Sequence, residues 1–309
     1  MVASRASALV ECVPNFSEGR RTDVMAAIEA AIVEVAGAGV LDRHADPVHN
    51  RMVLTLAGGA GPIAEAAFRG VRRAAELIDM SQHQGVHPRI GATDVLPFVP
   101  LGETPMAVCV ELAERVGRRI AAELELPVYL YGEAARQPER RSLPTIRRGE
   151  YEGLLALIAD DPTRAPDFGP RRLGRAGATA VGARRFLVAY NVTLATDQLA
   201  VAERVASSIR ASSGGLAAVQ ARGFPTADPT VMQVSVNLLD YEVTPLHVVF
   251  GRIADESARL GVEVVASELV GMLPTAVLAD TTRHALRFPA LDARAAVESR
   301  LLEALLTAR

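Results

Sequence analysis

The stretch His83-Gln-Gly-Val-His-Pro-Arg-Ile-Gly-Ala-Thr-Asp-Val-Leu-Pro-Phe-Val-Pro-Leu101 combines ionisable side chains with backbone breakers and then turns apolar. A regular helix through its first half is excluded by two glycines and a proline, Gly85, Pro88 and Gly91. His83 and His87 are four residues apart, yet they cannot be assumed to share a helical face. We therefore predict a loop that carries reactive groups and leads into a buried strand.

The apolar half of this stretch predicts that strand. Its hydrophobic side chains follow closely on one another, at Val95, Leu96, Phe98, Val99 and Leu101. Proline has no N–H to give to a neighbouring strand, so Pro97 and Pro100 indicate an edge strand or the end of a strand.

Composition limits the class of protein. The chain has 309 residues, of which 50% are hydrophobic and 22% charged, with a net charge of -3. This length predicts a globular protein of two domains, and the charge gives no basic field for nucleic acid. No apolar run approaches the roughly 20 residues of a membrane span, and two cysteines are too few for a disulfide framework. We expect a cytoplasmic protein without a membrane or nucleic-acid partner.

The chain contains no lysine, so every basic side chain apart from histidine is arginine. This excludes Schiff-base catalysis by the chain, covalent attachment of pyridoxal phosphate and a lysine-containing phosphate loop. Arginine instead offers a planar fork of donors that matches a carboxylate. The composition therefore favours recognition of carboxylate-bearing ligands.

The order of predicted elements indicates an α+β fold of two mixed-sheet α/β subdomains, with helices packed on one sheet face. From Arg185 onwards the pattern is strand, helix, strand, strand, helix, strand, which is typical of a ferredoxin-like subdomain. Residues 160–177 are rich in Pro, Gly, Asp and Arg and are interpreted as a linker. We predict domains at residues 1–176 and 177–309, with a cleft where they join.

A second polar segment, Asp42-Arg-His-Ala-Asp-Pro-Val-His-Asn-Arg51, directly precedes the apolar run Met52–Leu56. Histidine and aspartate side chains at such a bend either converge on a site or form a solvated turn. Five arginines between Arg136 and Arg148 form a locally basic stretch, which is normally a solvated face but also suits acidic substrates.

Several motifs together resemble the glutamate formimidoyltransferase family, also called the formiminotransferase family. In that family H-x-G-x-H-P-R-x-G-A-x-D is a hallmark, and it matches His83–Asp94. The resemblance extends from about Val10 to about Pro274. Its other motifs are Glu11-Cys-Val-Pro-Asn-Phe-Ser-Glu-Gly19, Asn50-Arg51, Pro127-Val-Tyr-Leu-Tyr-Gly-Glu-Ala-Ala135, Leu143-Pro-x-x-Arg-x-Gly-Glu-Tyr151, Asp167-Phe-Gly-Pro170, Gly177-Ala-Thr179, Gly182-Ala-Arg184 and Gln233-Val-Ser-x-Asn-Leu238.

The resemblance implies transfer of a formimino group from N-formimino-L-glutamate to N5 of tetrahydrofolate, which is a co-substrate, without a metal. It also implies a homodimer, and no fused cyclodeaminase domain is expected before the chain ends at Arg309. One imidazole can take and return the proton of this reaction, since its pKa lies near neutrality. By sequence alone His83 and His87 are almost equal, and the resemblance selects His87.

The resemblance also implies which residues bind the substrates. Asn50 belongs to a matching motif, Arg51 and Arg89 are hypothesised to hold carboxylates, and Asp46 or Asp94 to orient the imidazole or hold the amidinium. The carboxylate that assists His87 is predicted to be Asp46. The alternative interpretation of each of these charged residues is that it forms a structural ion pair. The segment implied to touch folate consists of Gly169, Pro170, Arg171, Arg172, Leu173, Gly174, Arg175, Ala176 and Gly177.

Three other functions are open at this point. A metal-dependent hydrolase would use Asp46 with the nearby histidines, His44, His49, His83 and His87. A folate-binding or regulatory module would bind ligand without turnover. A folate enzyme that acts on 5-formyltetrahydrofolate is the third.

Overall fold

The structure, a computed structural model, describes residues 8–307, with the side chains from residue 305 onwards left out. The chain divides into two compact units between Arg185 and Phe186. In the described part, the first unit contains the strands β1 (Leu9–Cys12), β2 (Asn15–Phe16), β3 (Ala38–Asp46), β4 (Arg51–Gly59), β5 (Thr93–Pro100), β6 (Val128–Gly132) and β7 (Thr179–Ala183). Its α-helices are α1 (Thr22–Val33), α2 (Ala60–Leu77), α3 (Met106–Leu124), α4 (Leu143–Ile146) and α5 (Glu150–Leu157).

The sheet of the first unit is mixed. Strands β1 and β2 both lie between β4 and β5 and pair antiparallel with both, while β3 forms a hairpin with β4. Strand β7 pairs parallel with β5 and with β6. The part from β1 to β5 is therefore itself a β-α-β-β-α-β unit, extended by α3, β6 and β7. The sequence pattern had indicated this topology only for the second half.

Strand β5 lies inside the sheet, so the prediction of an edge strand or strand end from Pro97 and Pro100 was wrong for Pro97. Pro97 is tolerated because it lies opposite the interruption between β1 and β2 at Val13 and Pro14. There the Val13 N–H donates to the Pro97 carbonyl at 3.2 Å. The partner strand is already broken at this point, so the missing donor of Pro97 disturbs little of the ladder.

Period-2 alternation sorts the side chains of the sheet between its two faces. Leu96, Phe98 and Leu130 enter the larger core beneath α1, α2 and α3, in agreement with the predicted helical layer. Val95, Tyr129, Tyr131 and Ala180 enter a smaller cluster with Leu154 and Ile146 of α5 and α4. The opposite face is thus also covered over β5, β7 and β6.

The second unit has the predicted ferredoxin-like order. Its strands and helices are β8 (Val188–Leu194), α6 (Leu199–Ile209), β9 (Val219–Pro225), β10 (Met232–Leu238), α7 (Leu246–Arg259), β11 (Val264–Val270), α8 (Thr275–Leu286) and α9 (Val297–Thr307). The sheet order is β11-β8-β10-β9, and every pairing in it is antiparallel. Its core is separate and is formed by residues such as Val192, Val234, Val205 and Val249.

The first unit extends beyond the predicted boundary at residue 176. Strand β7 follows that point and completes the first sheet, since it is paired on both sides by β5 and β6. The segment 160–177, interpreted from composition as a linker, is bonded into the same unit. Val128 N donates to Phe168 O at 2.9 Å and Ala92 N to Ala176 O at 2.8 Å. The composition correctly indicated an irregular backbone. Such a backbone can be fixed within a domain by hydrogen bonds and need not be a linker between domains.

Candidate active site

Asn50 connects three loops of the first unit. Its side-chain oxygen accepts from the Gly19 N–H at 2.9 Å, and its amide nitrogen donates to the Gln84 carbonyl at 2.9 Å. Its own carbonyl accepts from Nε2 of His83 at 3.1 Å. Asn50 has a positive φ of 49°, a conformation that asparagine tolerates better than most residues. The loop after β2, the β3–β4 turn and the loop before β5 are thereby held together.

Glycine makes this convergence sterically possible. A Cβ on Gly19 would lie 2.3 Å from the Asp46 carbonyl oxygen, and a Cβ on Gly85 would lie 2.5 Å from that of His49. Both distances are far below van der Waals contact, so any larger residue would push the loops apart. Gly85, one of the residues that excluded a helix in the sequence, thus allows two backbone segments to approach closely.

The hydrogen bonds of His83 fix its protonation state. Nε2 must donate, since the Asn50 carbonyl can only accept, and Nδ1 must accept, since it receives the Nε–H of Arg89 at 3.2 Å. Burial lowers the pKa of His83, and the guanidinium of Arg89 adds to this. His83 is therefore a neutral, fully engaged ring, which does not suit a proton shuttle.

Arg89 is only 8% exposed at its side chain, and all five of its N–H donors are used within the protein. The Nε–H goes to His83. Nη1 donates to Glu150 and Glu152 at 2.8 Å each, and Nη2 to Glu152 at 2.6 Å and more weakly to the His83 carbonyl. This geometry favours a positioning role, tying the loop to the start of α5, over the carboxylate-anchor role predicted for Arg89.

His87 differs from both neighbouring histidines. Its ring is half-buried, and neither nitrogen forms a hydrogen bond with another group of residues 8–307. Burial, then the positive charges of Arg51 and Arg147, lower the pKa of His87 to about 2. The ring is consequently neutral at physiological pH with an available lone pair, in a polar cluster rather than in packed hydrocarbon.

Asp94 holds the loop and Arg147 in a fixed relation. One carboxylate oxygen accepts from the Ile90 N–H at 2.9 Å, and the other accepts from Nε of Arg147 at 3.0 Å and from its Nη2. The Asp94 side chain is 3% exposed and that of Arg147 16%. Asp94 therefore acts on the site through Arg147 and the backbone, whereas the sequence had suggested contact with the imidazole or the amidinium.

Arg51 is a half-buried cation of the site that has no hydrogen-bond or ion-pair partner among the described residues. It begins β4, opposite Asp46 in the β3–β4 register. Its Nε is buried without a hydrogen bond, and within residues 8–307 its guanidinium forms no ion pair. Burial, then Arg147, lower the pKa of Arg51. A buried charge without a partner is costly, so such a group is expected to meet an anion.

Asp46 pairs with His49 and not with His87. Its Oδ2 lies 2.7 Å from Nδ1 of His49, and Oδ1 accepts from the N–H groups of Val48 and His49. Burial works against ionisation, but the His49 and Val48 hydrogen bonds lower the pKa of Asp46. The predicted assistance to His87 is thus not made by direct contact. Asp46 instead shapes the β3–β4 turn that presents Asn50 and Arg51.

The segment Gly169–Gly177 meets the His87 loop only at its end. Met80 N donates to Arg175 O at 2.7 Å, and the Ala176 carbonyl binds the Ala92 N–H. The exposed arginines point to other partners, Arg171 to the Ile158 carbonyl, Arg172 to Glu125 and Arg175 to Asp79. Gly169, Pro170, Leu173 and Gly174 have no side-chain donor or acceptor, so they can offer a ligand only backbone groups or apolar contact. The structure brings the segment beside the loop, but not its individual side chains to His87.

Two further findings concern alternative functions. Within the described residues, no group of three or more His, Cys, Asp or Glu side chains is arranged to hold a metal ion. In the same part of the chain, none of the helices is both long and apolar enough to cross a membrane.

Comparison with known proteins identifies the family. The model of the N-terminal subdomain of the formiminotransferase domain matches residues 9–184, more than half of the chain, and that of the formiminotransferase domain matches residues 189–294. The chain belongs to the formiminotransferase family. The division between the two matches agrees with the division at Arg185.

Relatives of the family are similar over nearly the whole chain. The glutamate formimidoyltransferase of Thermoplasma acidophilum is 46% identical over 286 residues, which are 92% of this chain and 94% of that protein. That of Streptococcus pyogenes serotype M1 is 42% identical over 92% of this chain and 95% of its own length. The formimidoyltransferase-cyclodeaminase of Mus musculus is 45% identical over 89% of this chain but only 52% of its own length. As a formiminotransferase-family member the chain is a transferase.

Sequence reasoning did not single out Arg147 from its neighbours. This residue lies in the motif Leu143-Pro-x-x-Arg-x-Gly-Glu-Tyr151, which was matched to the formiminotransferase family, but its charge was considered only as part of a basic stretch that is normally solvated and also suits acidic substrates. The signal that could have singled it out is its position in a family motif. Arg148 next to it lies outside the fixed letters of that motif and is exposed.

Proposed function

We propose that this chain transfers the formimino group of N-formimino-L-glutamate to N5 of tetrahydrofolate, with His87 as base and then acid. Attack by N5 on the amidine carbon forms the new C–N bond and a tetrahedral intermediate. His87 accepts the proton released from N5. Cleavage of the bond to the glutamate nitrogen then requires a proton on that nitrogen, which His87 returns. The products are 5-formiminotetrahydrofolate and L-glutamate.

The observation that carries this proposal is the contrast between His87 and His83. His83 has both nitrogens engaged by Asn50 and Arg89, whereas His87 is neutral with both nitrogens unengaged. A general base must present a lone pair to its substrate. Arg51, a half-buried cation without a partner among the described residues, acts on the His87 ring and supplies a carboxylate anchor of the kind that formiminoglutamate needs.

The Gly169–Gly177 segment is part of the same proposal as the folate-binding element. Its backbone bonds to Met80 and Ala92 keep it next to the loop that bears His87. A homodimer and a cytoplasmic location stay predictions from the sequence.

The test is a spectroscopic turnover assay with both substrates on the wild-type chain and on His87→Ala. We expect His87→Ala to lose on the order of a hundredfold or more in kcat, the usual contribution of a positioned acid–base group. His284→Ala, which removes an exposed histidine of the second unit, is the control and should retain turnover. Wild-type-like activity of His87→Ala would contradict the assignment, and turnover of 5-formyltetrahydrofolate alone would favour the alternative folate activity.

A further inference from the structure

Strand β2 brings Arg51 close to the Asp94–Arg147 pair, because Phe16 pairs both with Met52, next to Arg51, and with Thr93, next to Asp94. Both guanidinium groups lower the pKa of His87, and among the described residues only Arg147 has a carboxylate in direct contact. Asp94 is bound to Arg147. Asp46 attracts Arg51 from a distance but is hydrogen-bonded to His49. Asp94 and Asp46 offset the two arginines in formal charge, but neither carboxylate bonds to Arg51, whose guanidinium has no direct counter-ion among the described residues.

The unused donors of these arginines define what would fit. Arg147 donates hydrogen bonds to Asp94 from Nε and Nη2, so its Nη1 is available to another acceptor. Arg51 donates no hydrogen bond to another described residue. Planar guanidinium forks match the two oxygens of a carboxylate, and such charge-assisted bonds are stronger than neutral ones. A carboxylate of an amino-acid substrate is the group that this pair of arginines can neutralise.

We infer that Arg51 and Arg147 together bind a carboxylate of the glutamyl substrate, and that this carboxylate makes His87 a stronger base when the substrate is bound. The inference rests on the proposed function and adds to it a second anchor, Arg147, and a control of the base by the substrate. Asp94 is then a positioning residue, because it orients Arg147 and the backbone at Ile90.

The charges around His87 explain the direction of this control. The ring faces Arg51 at the start of β4, Arg147 at the end of α4, His49 in the β3–β4 turn and His83 in its own loop. In the free chain burial and these cations hold the pKa of His87 at about 2, too low for efficient proton abstraction at neutral pH. A negative charge within about 4–6 Å raises a pKa by about 1–3 units. Binding of the carboxylate thus raises the pKa of His87 and makes the imidazole a stronger base than in the free chain.

The experiment follows the protonation of His87 by NMR of histidine labelled with 13C at Cε1. The chain contains six histidines, and the His87→Gln variant identifies the signal. The full-length chain is titrated with acid alone and with saturating L-glutamate. A parallel titration with p-aminobenzoyl-L-glutamate distinguishes the glutamyl tail of folate as the source of the carboxylate. We expect L-glutamate to raise the midpoint of His87 by at least about one pH unit.

Arg147→Gln and its matched control Arg148→Gln separate the site from general surface charge. Arg147→Gln should weaken L-glutamate binding, measured by calorimetry, on the order of tenfold to a hundredfold, whereas Arg148→Gln should bind as wild type. Arg51→Gln leaves the Arg147–Asp94 pair intact and carries the same expectation, so the test survives if Arg147→Gln does not fold. Steady-state kinetics should show the acid limb of kcat at higher pH than that of kcat/KM, since kcat reports the loaded site.

Three outcomes would overturn the inference while leaving the proposed function standing. In the first, the wild-type chain turns over formiminoglutamate and binds L-glutamate, but the His87 midpoint does not move. In the second, Arg147→Gln and Arg51→Gln bind L-glutamate as tightly as Arg148→Gln. A His87 shift with p-aminobenzoyl-L-glutamate alone would equally reject the amino-acid substrate as the occupant. Absence of turnover by the wild-type chain would instead reject the proposed function.

Discussion

Arg51 is unfavourable for folding and, in the proposed function, serves binding. Its half-buried guanidinium has no partner among the described residues, so the folded chain bears a desolvation cost that no ion pair in that part offsets. Arg89, two residues after His87, has the opposite character, because each of its donors is satisfied. Burial alone therefore does not tell a binding arginine from a structural one, whereas its set of partners does.

Arg51→Met should separate stability from function. Methionine retains apolar volume and removes the buried charge, so we expect the free energy of unfolding, measured in urea, to equal or exceed that of wild type. The same variant should lose on the order of a hundredfold in kcat/KM for formiminoglutamate, because a charge-assisted contact is lost. Arg148→Met is the control for loss of an exposed arginine. A destabilised but fully active Arg51→Met would show that the guanidinium has an internal structural role.

His87 should make the fold sensitive to acid. The folded-state pKa of about 2 lies below the 6.5 of an unperturbed histidine. Between these values the unfolded chain binds a proton that the folded chain does not, so stability is lost as pH falls below about 6.5. His87→Gln should therefore lose less stability than wild type between pH 7 and 5, by up to about 2 kcal/mol in urea unfolding. Parallel stability curves for the two proteins would contradict this pKa.

At the scale of elements, the site depends on how the loop before β5 is fixed to the segment before β7. The bonds Ala92 N to Ala176 O and Ala178 N to Ile90 O join them. Gly91 permits this contact, because a Cβ there would lie 2.0 Å from the Ala178 carbonyl oxygen. The segment that composition presented as a linker is thus a structural support for the His87 loop.

Gly91→Ala should destabilise the first unit strongly. The added methyl group must displace backbone rather than a flexible side chain, and we expect a loss of about 3 kcal/mol or more, or failure to fold. Gly174→Ala is the matched control from the same contact region, since a Cβ there meets nothing within 4 Å. Urea unfolding followed by circular dichroism measures both. Equal free energies of unfolding for the two variants would show that the backbone at Gly91 does not approach Ala178 this closely.

At the scale of the whole molecule, the chain consists of two units that each have a hydrophobic core. Both contain the β-α-β-β-α-β order, and the first adds α3, β6 and β7. The residues assigned to the carboxylate site and to proton transfer, Arg51, His87, Asp94 and Arg147, all belong to the first unit. The second unit supplies none of them.

A chain ending at Arg185 should therefore fold and bind L-glutamate with the affinity of the full-length protein. The first unit has the complete β3–β4–β1/β2–β5–β7–β6 sheet and its own core, which meets the requirement for independent folding. Calorimetry with L-glutamate is the measurement, and Arg147→Gln in the shortened chain is the control that should bind more weakly. A folded fragment without L-glutamate binding would show that residues beyond Arg185 contribute to the carboxylate site.

The sequence by itself determined the α+β class, the ferredoxin-like second unit, the loop before β5 and the family. Each of these is encoded locally, by hydrophobic period, by glycine and proline, or by contiguous motifs. The end of the first unit could not be predicted from local signals, since it depends on pairing between strands that are far apart in the sequence. Nothing in residues 160–185 says that β7 pairs with β5 and β6, because a strand's partners are chosen by contacts far away in the chain.

The partners of the candidate site residues follow only from the tertiary structure. His83 and His87 are equivalent as letters, and so are Arg51, Arg89 and Arg147, yet their partners differ. His83 is held by Asn50 and Arg89 while His87 is not, and Asp46 is turned towards His49. The proton affinity and charge balance of such groups depend on burial and on neighbours brought together from distant segments. For that reason the sequence identified the candidate residues, whereas their hydrogen-bond partners and the directions of their pKa shifts follow from the folded structure.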